Sequence, residues 1–149
     1  MKIGDVAAAV GKGLFAGLAG TAAMTVSSTL EMKLRDREAS SAPADAAGKV
    51  LGVQPRDDAG KARFANVAHW GYGTSWGAVR GVLATLGLNG RTATAVHFGA
   101  IWGAELAMLP ALDVAPPLQE WSAQELAIDA FHHLVYVTAA GLAYKMLDS

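Results

Sequence analysis

The stretch His69–Gly81, HWGYGTSWGAVRG, places four glycines among aromatic, histidine and arginine side chains. Its segment GYGTSWG resembles the G-x-G-x-x-G loop that binds dinucleotides, but that loop directly follows a β-strand. The residues before it, GKARFANVA, show no strand pattern. Gly73, Gly77 and Gly81 instead recur at every fourth position, a spacing that lets membrane helices approach closely. The stretch therefore predicts a transmembrane helix and not a nucleotide loop.

The composition of the whole chain favours a membrane protein. Of its 149 residues, 52% are hydrophobic and 17% are charged, which is apolar for a soluble domain. The formal net charge is -1 and no basic patch stands out, so no nucleic-acid partner is expected. The lack of cysteine excludes disulfides, thiolate metal sites and cysteine nucleophiles.

Four segments are long and apolar enough to cross a bilayer, which takes about 17–25 residues. They form a single transmembrane domain over 1–149, with predicted spans at 11–30, 64–88, 92–114 and 123–147. Short hairpin connections join spans two to three and three to four, and a charged, water-facing loop over 33–63 joins the first two. The expected fold is all-α, an integral membrane four-helix bundle with the lipid bilayer as its surroundings.

Two alternatives to four spans stay open. Alanine and glycine replace much of the leucine expected in a membrane helix, which leaves a soluble helix bundle possible. Against it, no charged residue interrupts Gly13–Leu30, whereas a soluble helix shows a polar face. A secretory signal ending at Ala22-Ala23 is the second alternative, although three further apolar segments would still need a membrane.

Local signals mark the ends of the helices and, weakly, their orientation. Asn89-Gly90 supplies turn residues, and Ser122 with Glu125 has the spacing of a capping box. A short helix is expected after Pro43, ending at Gly52. The long-loop side carries seven Lys and Arg against four on the other side, which favours a cytoplasmic long loop.

Small residues at four-residue spacing are expected to pack the helices together. The residues predicted for helix packing are Gly73, Gly77, Gly81, Gly99 and Gly103. Packing within the bundle and an intermolecular face are both open for the three-glycine run. A homo-oligomer or a larger membrane complex is the expected partner state.

Ionisable residues inside predicted spans are costly, so each is a candidate for function. At 100° per residue they form one polar stripe on each helix, and the helical rise sorts them into two layers. The layer near the long loop contains Glu31, His69, Glu105, Asp129, His132 and His133. A deeper second layer contains Arg80 and His97.

Three kinds of chemistry fit the first layer. A metal site would use Glu105, Asp129, His132 and His133, since Asp129-x-x-His132 has the spacing found in carboxylate-bridged metal bundles, and such ligands suit zinc, iron or manganese. A haem on His97 or His69 is a variant of this idea. A proton relay would use Glu105, Asp129 and His133. Plain structural pairing of acids with histidines or Arg80 is the third interpretation.

The order of these features resembles the YagU-type family of small bacterial inner-membrane proteins. The resemblance rests on GLAGTAAMTVSSTLEMKL, on SAPADAAGKVLG in the charged loop, and on HWGYGTSWGAVRG. HWGYG and DAFHHLVY are similar to an actinobacterial branch of that family. The resemblance implies a multi-pass inner-membrane protein and, at most, an association with acid tolerance. It implies no catalytic residues, and no enzyme motif is recognised.

The expected function is proton or ion handling, with a structural assembly subunit and a metal-binding protein as alternatives.

Overall fold

The computed structural model describes residues 2–149, all of whose regular structure is helical. Residue 1 belongs to the predicted domain but lies outside the described residues. Five α-helices follow one another, with a 3₁₀ turn at Leu118–Glu120 before the last: α1 (Ile3–Arg35), α2 (Ala42–Leu51), α3 (Asp58–Thr85), α4 (Gly90–Ala111) and α5 (Ala123–Leu147). The predicted all-α class is confirmed.

The helix ends follow from local sequence signals. Ser122 begins α5 with a capping box, in which its side chain accepts from the Glu125 backbone N–H and the Glu125 carboxylate accepts from the Ser122 N–H. The Asp57 side chain caps α3 by accepting from the Gly60 N–H at 2.6 Å. Gly52 ends α2 with a left-handed φ of 67°, as a glycine C-cap does. The predicted fourth span has the bounds of α5, whereas α1 and α3 both begin earlier than their predicted spans.

The closest packing in the structure joins α1 to α3 in antiparallel orientation. A methyl group added at Gly77 would meet the Cα of Gly17 at 2.5 Å, and one added at Gly17 would meet the Thr74 carbonyl oxygen at 2.5 Å. Farther along the pair, Gly81 faces Ala9 and Gly73 faces Thr21. Only glycine lets two backbones approach this closely. The three-glycine face is thus filled by α1 of the same chain and is not free for another chain.

The remaining long helices add to this pair. The Tyr136 hydroxyl of α5 donates to the Gly73 carbonyl at 2.6 Å, and its ring lies against Gly20 of α1. On α4, His97 reaches the Trp76 carbonyl of α3 at 3.0 Å. Ile101, Tyr136, Val137 and Ala140 form the buried apolar cluster between α4 and α5. α1 runs antiparallel to α3 and α5, and α4 also runs antiparallel to both, so α3 and α5, which touch through Tyr136–Gly73 and Tyr144–Arg80, run parallel to each other.

Two of the four long helices, α1 and α5, are long and apolar enough to cross a membrane. The apolar part of each is only 28% buried, so most of it faces outward. Within residues 2–149, α3 and α4 do not reach the same apolar threshold. His69 and Arg80 interrupt the apolar part of α3, and His97 and Glu105 interrupt that of α4. Hydropathy thus supports two spans, fewer than the four expected.

The segment between α1 and α3 contacts the connection between α4 and α5 through α2. The ammonium group of Lys49, on α2, donates to the backbone carbonyls of Leu112 and Asp113 just after α4. These carbonyls lie at the negative end of the α4 dipole, where a cation is favourable. The charged segment 33–63 is therefore partly helical and attached to the α4–α5 connection.

We expect Gly77→Ala to destabilise the protein by about 1–3 kcal/mol, because the new methyl group forces α1 and α3 apart. Gly71→Ala, on the exposed face of the same helix with no atom within 4 Å, is the matched control. It should be neutral or stabilising by up to about 1 kcal/mol, since alanine favours helix. Thermal unfolding in detergent micelles measures both, and equal effects would contradict the assigned packing.

Candidate functional site

Glu105 of α4 and Asp129 and His133 of α5 form the acid–histidine site. Each contributes one ligand-type atom, and these three atoms lie within 4.8 Å of one another. Glu105 Oε2 is 2.5 Å from His133 Nε2. His133 is buried, while Glu105 and Asp129 are half-buried. By the helical rise, the site lies about 9 Å from the end of α4 and from the start of α5.

The hydrogen bonds of His133 fix its ring state. Its Nδ1 is 3.0 Å from the backbone carbonyl of Asp129, one turn earlier in α5. A carbonyl oxygen only accepts, so Nδ1 carries a proton. Nε2 then either accepts from a protonated Glu105 or donates, as imidazolium, to an ionised Glu105. One proton is thus shared between an imidazole nitrogen and a carboxylate oxygen.

Asp129 is held by a different contact. Trp102 Nε1–H, on α4, donates to Asp129 Oδ2 at 2.8 Å. The other carboxylate oxygen, Oδ1, lies 3.7 Å from His133 Nδ1. The site therefore combines two carboxyl groups with one imidazole, and a cation or shared protons must offset the repulsion between ionised acids.

A transition-metal ion fits this arrangement incompletely. Ligand atoms bound to one tetrahedral zinc at about 2.0–2.2 Å lie roughly 3.3 Å apart, whereas Glu105 Oε2 and His133 Nε2 are in direct hydrogen-bond contact at 2.5 Å. The Nδ1–H to carbonyl bond of His133 is the outer contact that metal-bound histidines make. Ion binding would therefore require Glu105 to withdraw from His133, with Asp129 as the third ligand.

Comparison of the chain with models of protein families, with curated proteins and with solved structures finds no match in any of the three. The resemblance to YagU-type proteins stays a prediction. Functional conclusions thus depend on the geometry of the chain itself.

His132 does not join the acid–histidine site. Its Nδ1 is 2.8 Å from the Ser27 hydroxyl of α1, and its Nε2 is 3.9 Å from Glu31 Oε2. Consecutive helical residues differ by about 100° in direction, so His132 faces α1 while His133 faces α4. The four-residue metal set with an Asp129–His132 pair is thus not formed.

Glu31 serves mainly as an acceptor for two arginines. Arg37 Nη2 lies 2.6 Å from Glu31 Oε2, and Arg35 Nη1 lies 3.0 Å from Oε1. This ion-pair network closes the end of α1 next to the charged segment. The sequence predicted pairing of acids with histidines or Arg80, whereas the direct partners of Glu31 are Arg35 and Arg37.

His69 forms a third, separate contact. Its Nε2 is 2.8 Å from Thr25 Oγ1. Thr25 donates its hydroxyl hydrogen to the Thr21 carbonyl at 2.7 Å, so its oxygen accepts from His69 Nε2–H. The six residues of the predicted first layer thus divide into three groups: Glu105 with Asp129 and His133, Glu31 with His132, and His69 with Thr25.

The predicted second layer, Arg80 and His97, is buried and contains no acid partner within the described residues. Arg80 lies over the ring of Tyr144, with its guanidinium carbon 4.6 Å from the ring centroid. His97 Nε2 bonds the Trp76 carbonyl, and the His97 ring meets that of Tyr136 edge-on. The proposed pairing of Arg80 with an acid is thus not formed.

Gly99 and Gly103 differ from the other predicted packing glycines. No atom lies within 4 Å of a methyl group added at either position, and both are exposed. They therefore pack against no other helix among residues 2–149.

Several functional partners were not predicted from sequence. Trp102, Ser27 and Thr25 each bind a predicted site residue, and Tyr144 lies beneath Arg80. The sequence could have indicated Trp102 and Tyr144. Trp102 precedes Glu105 by three residues and Tyr144 follows Ala140 by four, and residues at these spacings share one face of a helix. For Ser27 and Thr25 the sequence holds no such indication, because spacing along one helix does not determine which other helix lies next to it.

We expect Glu105→Ala to destabilise the protein by about 1–3 kcal/mol, because His133 Nε2 would be left buried without a partner. Glu120→Ala, at an exposed acid of the 3₁₀ turn, is the matched control and should lie within about 0.5 kcal/mol of the parent protein. Thermal unfolding in micelles compares the two. Indistinguishable values would contradict the Glu105–His133 contact.

Proposed function

We propose that the protein is a four-span integral membrane protein that exchanges protons at its acid–histidine site. The membrane part is supported by the distribution of polarity, which is inverted relative to a soluble fold. His97 is 0% and Arg80 4% exposed, whereas Phe15, Phe131 and Leu142 are 71%, 56% and 61% exposed. Large apolar side chains face outward and ionisable ones inward, as a lipid solvent favours.

Contacts with α1 support a membrane location for α3 as well. From Gly81 against Ala9 to His69 against Thr25, α3 follows α1 for 12 residues of its own length, about 18 Å. If α1 crosses a bilayer, this part of α3 lies inside it. The exposed residues of 64–88 carry no charge: Asn66, Val67, Gly71, Tyr72, Ser75, Val82, Leu86 and Gly87.

The same reasoning extends to α4. Only four residues separate α3 from α4, and such a short connection keeps two helices antiparallel and adjacent. Between Arg91 and Asp113 the one charged residue of α4 is Glu105, whose carboxylate turns toward α5. The bacterial inner membrane is proposed as the location on the resemblance to YagU-type proteins alone.

The 2.5 Å contact between Glu105 and His133 is the observation that carries the proton proposal. It joins a carboxyl group to an imidazole, the side chain that serves as a proton shuttle in proteins, at about 9 Å from the helix ends. Partial exposure of Glu105 and Asp129 leaves the carboxylates reachable while the imidazole stays buried. A proton arriving on a carboxylate can therefore pass to His133 Nε2 within the site.

In sealed vesicles with an imposed pH gradient, we expect the full-length protein to speed dissipation beyond that of protein-free vesicles. Glu105→Gln keeps the shape of the side chain but has no titrating oxygen, so it should remove most of the increase. Glu120→Gln is the control and should retain it. An internal pH-sensitive dye follows the gradient, and rates equal to those of protein-free vesicles would contradict the proposal.

Metal binding is the competing use of the same three residues. If protein purified without chelators contains about one zinc, iron or manganese per chain, and Glu105→Gln loses it, the site is a metal centre. Elemental analysis decides this. A stoichiometric metal would replace the proton proposal and leave the membrane assignment unchanged.

A second candidate function, self-assembly, is supported by the free face of α4. Five small, exposed residues recur at every fourth position along this helix: Ala95, Gly99, Gly103, Ala107 and Ala111. Small residues at this spacing mediate close helix contacts in membranes, and α1 and α3 of this chain pack against each other through glycines at the same spacing. We propose that α4 packs against α4 of a second copy.

Replacing both Gly99 and Gly103 with Leu should weaken such a dimer by roughly tenfold or more, equivalent to about 1.4 kcal/mol. The fold should survive, because neither glycine contacts another helix. Gly71→Leu, an exposed glycine of α3, is the control. Light scattering of the detergent-solubilised protein gives the mass, and an unchanged mass would argue against the α4 face.

A further inference from the structure

Arg80 is a buried cation that contacts no acidic side chain among residues 2–149. It lies near the end of α3 and is 4% exposed. Its Nε and Nη1 find no hydrogen-bond acceptor among residues 2–149. The Tyr144 ring face, 4.6 Å from the guanidinium carbon, stabilises positive charge from one side. Because the N–H groups of Arg80 point along the plane of the guanidinium group, a ring stacked over that plane cannot accept their hydrogen bonds.

The guanidinium group cannot relieve this by losing its proton, since arginine stays charged in proteins. An unpaired charge removed from water is strongly unfavourable. The structure therefore contains a buried positive group whose Nε–H and Nη1–H donors have no acceptor among residues 2–149.

Carboxylates at this end of the molecule already have partners. Asp148 Oδ1 is 2.8 Å from Lys12 Nζ, and Asp5 Oδ2 accepts from the Lys2 backbone N–H at 3.0 Å. Asp129 of the acid–histidine site lies 15 residues before Tyr144 on α5, about 22 Å away along the helix. Asp148 attracts Arg80 electrostatically, but its Oδ1 contacts Lys12 and not the guanidinium group.

A second unsatisfied group lies one turn away. His97 is fully buried, and its Nε2–H donates to the carbonyl of Trp76, four residues before Arg80. Its Nδ1 has no partner among the described residues. With the ring proton on Nε2, Nδ1 is an acceptor and offers no donor to an anion. The unsatisfied donors of this region are those of Arg80, with the Tyr136 and Tyr144 rings of α5 nearby.

We propose that Arg80 binds a small monovalent anion of the halide class between α3, α4 and α5. Its N–H groups donate to the anion, and the Tyr144 ring holds the guanidinium group from the other side. One fixed positive charge matches one negative charge, and the burial of Arg80 excludes large headgroups. This inference is independent of proton exchange at the acid–histidine site.

Chloride is the probe, with gluconate as the replacement anion at constant ionic strength. The thermal midpoint of the full-length protein in micelles should rise by several degrees over a roughly hundredfold increase in chloride above the dissociation constant, in proportion to the logarithm of the chloride concentration. Equilibrium dialysis with radioactive chloride should give about one ion bound per chain. Constant ionic strength separates binding from general screening of surface pairs.

Arg80→Met removes the charge and keeps a long apolar side chain. In gluconate it should be at least as stable as the parent protein, because it removes an unpaired buried charge. Its midpoint should not respond to chloride, and dialysis should show no bound chloride. Arg91→Met, at an exposed arginine of α4, is the matched control and should keep the full chloride response.

Two results would overturn the proposal. One is a parent protein that binds no chloride in dialysis and whose thermal midpoint does not rise with chloride. The other is an Arg80→Met variant with the parent's response and stoichiometry. If Arg80 serves only to pack on Tyr144, Arg80→Met would lower the midpoint equally in both salts, which also contradicts the anion site.

Discussion

The direct contact between the backbones of α1 and α3 organises the rest of the structure. Gly17 and Gly77 lie so close that neither position tolerates a methyl group. In a lipid solvent, apolar burial does not drive helices together, so such close approach and the dispersion contacts it allows are the main source of association. The carbonyl of Gly73 then becomes the acceptor for the Tyr136 hydroxyl. That bond sets the register of α5, and with it the positions of His132 and His133 one turn earlier.

Much of the helical framework follows from the sequence, for identifiable reasons. The Ser122–Glu125 capping box marks the start of α5 because it satisfies two backbone N–H groups, those of Ser122 and Glu125, that the helix itself leaves unpaired. The four-residue glycine spacing predicts a close contact, yet it cannot name the partner, since Gly13 and Gly17 carry the same signal as Gly99 and Gly103. Only the first pair lies against α3. The early starts of α1 and α3 were missed because polar residues at helix ends lower hydropathy without breaking a helix.

The candidate site was predicted in part. Helical-wheel geometry aligned Asp129 with His133 and placed Glu105 near the same depth, and the structure brings the three together. His132 lies only three residues from Asp129, but its ring turns to α1. Rotation about each helix axis and the choice of neighbour are tertiary properties that spacing along one helix does not contain. Arg80 shows the same limit, because its neighbour Tyr144 lies 64 positions away.

The bond from His133 Nδ1–H to the carbonyl of Asp129 lies entirely within α5. The imidazole therefore keeps its orientation whatever α4 does, while Glu105 and Trp102 move with α4. The two partners of the short contact, His133 and Glu105, thus belong to two different helices. A small slide of α4 along α5 would lengthen the Glu105–His133 and Trp102–Asp129 contacts together and leave the His133 ring in place. The position of α4 relative to α5 therefore sets whether the proton between Glu105 and His133 is shared or belongs to one of them.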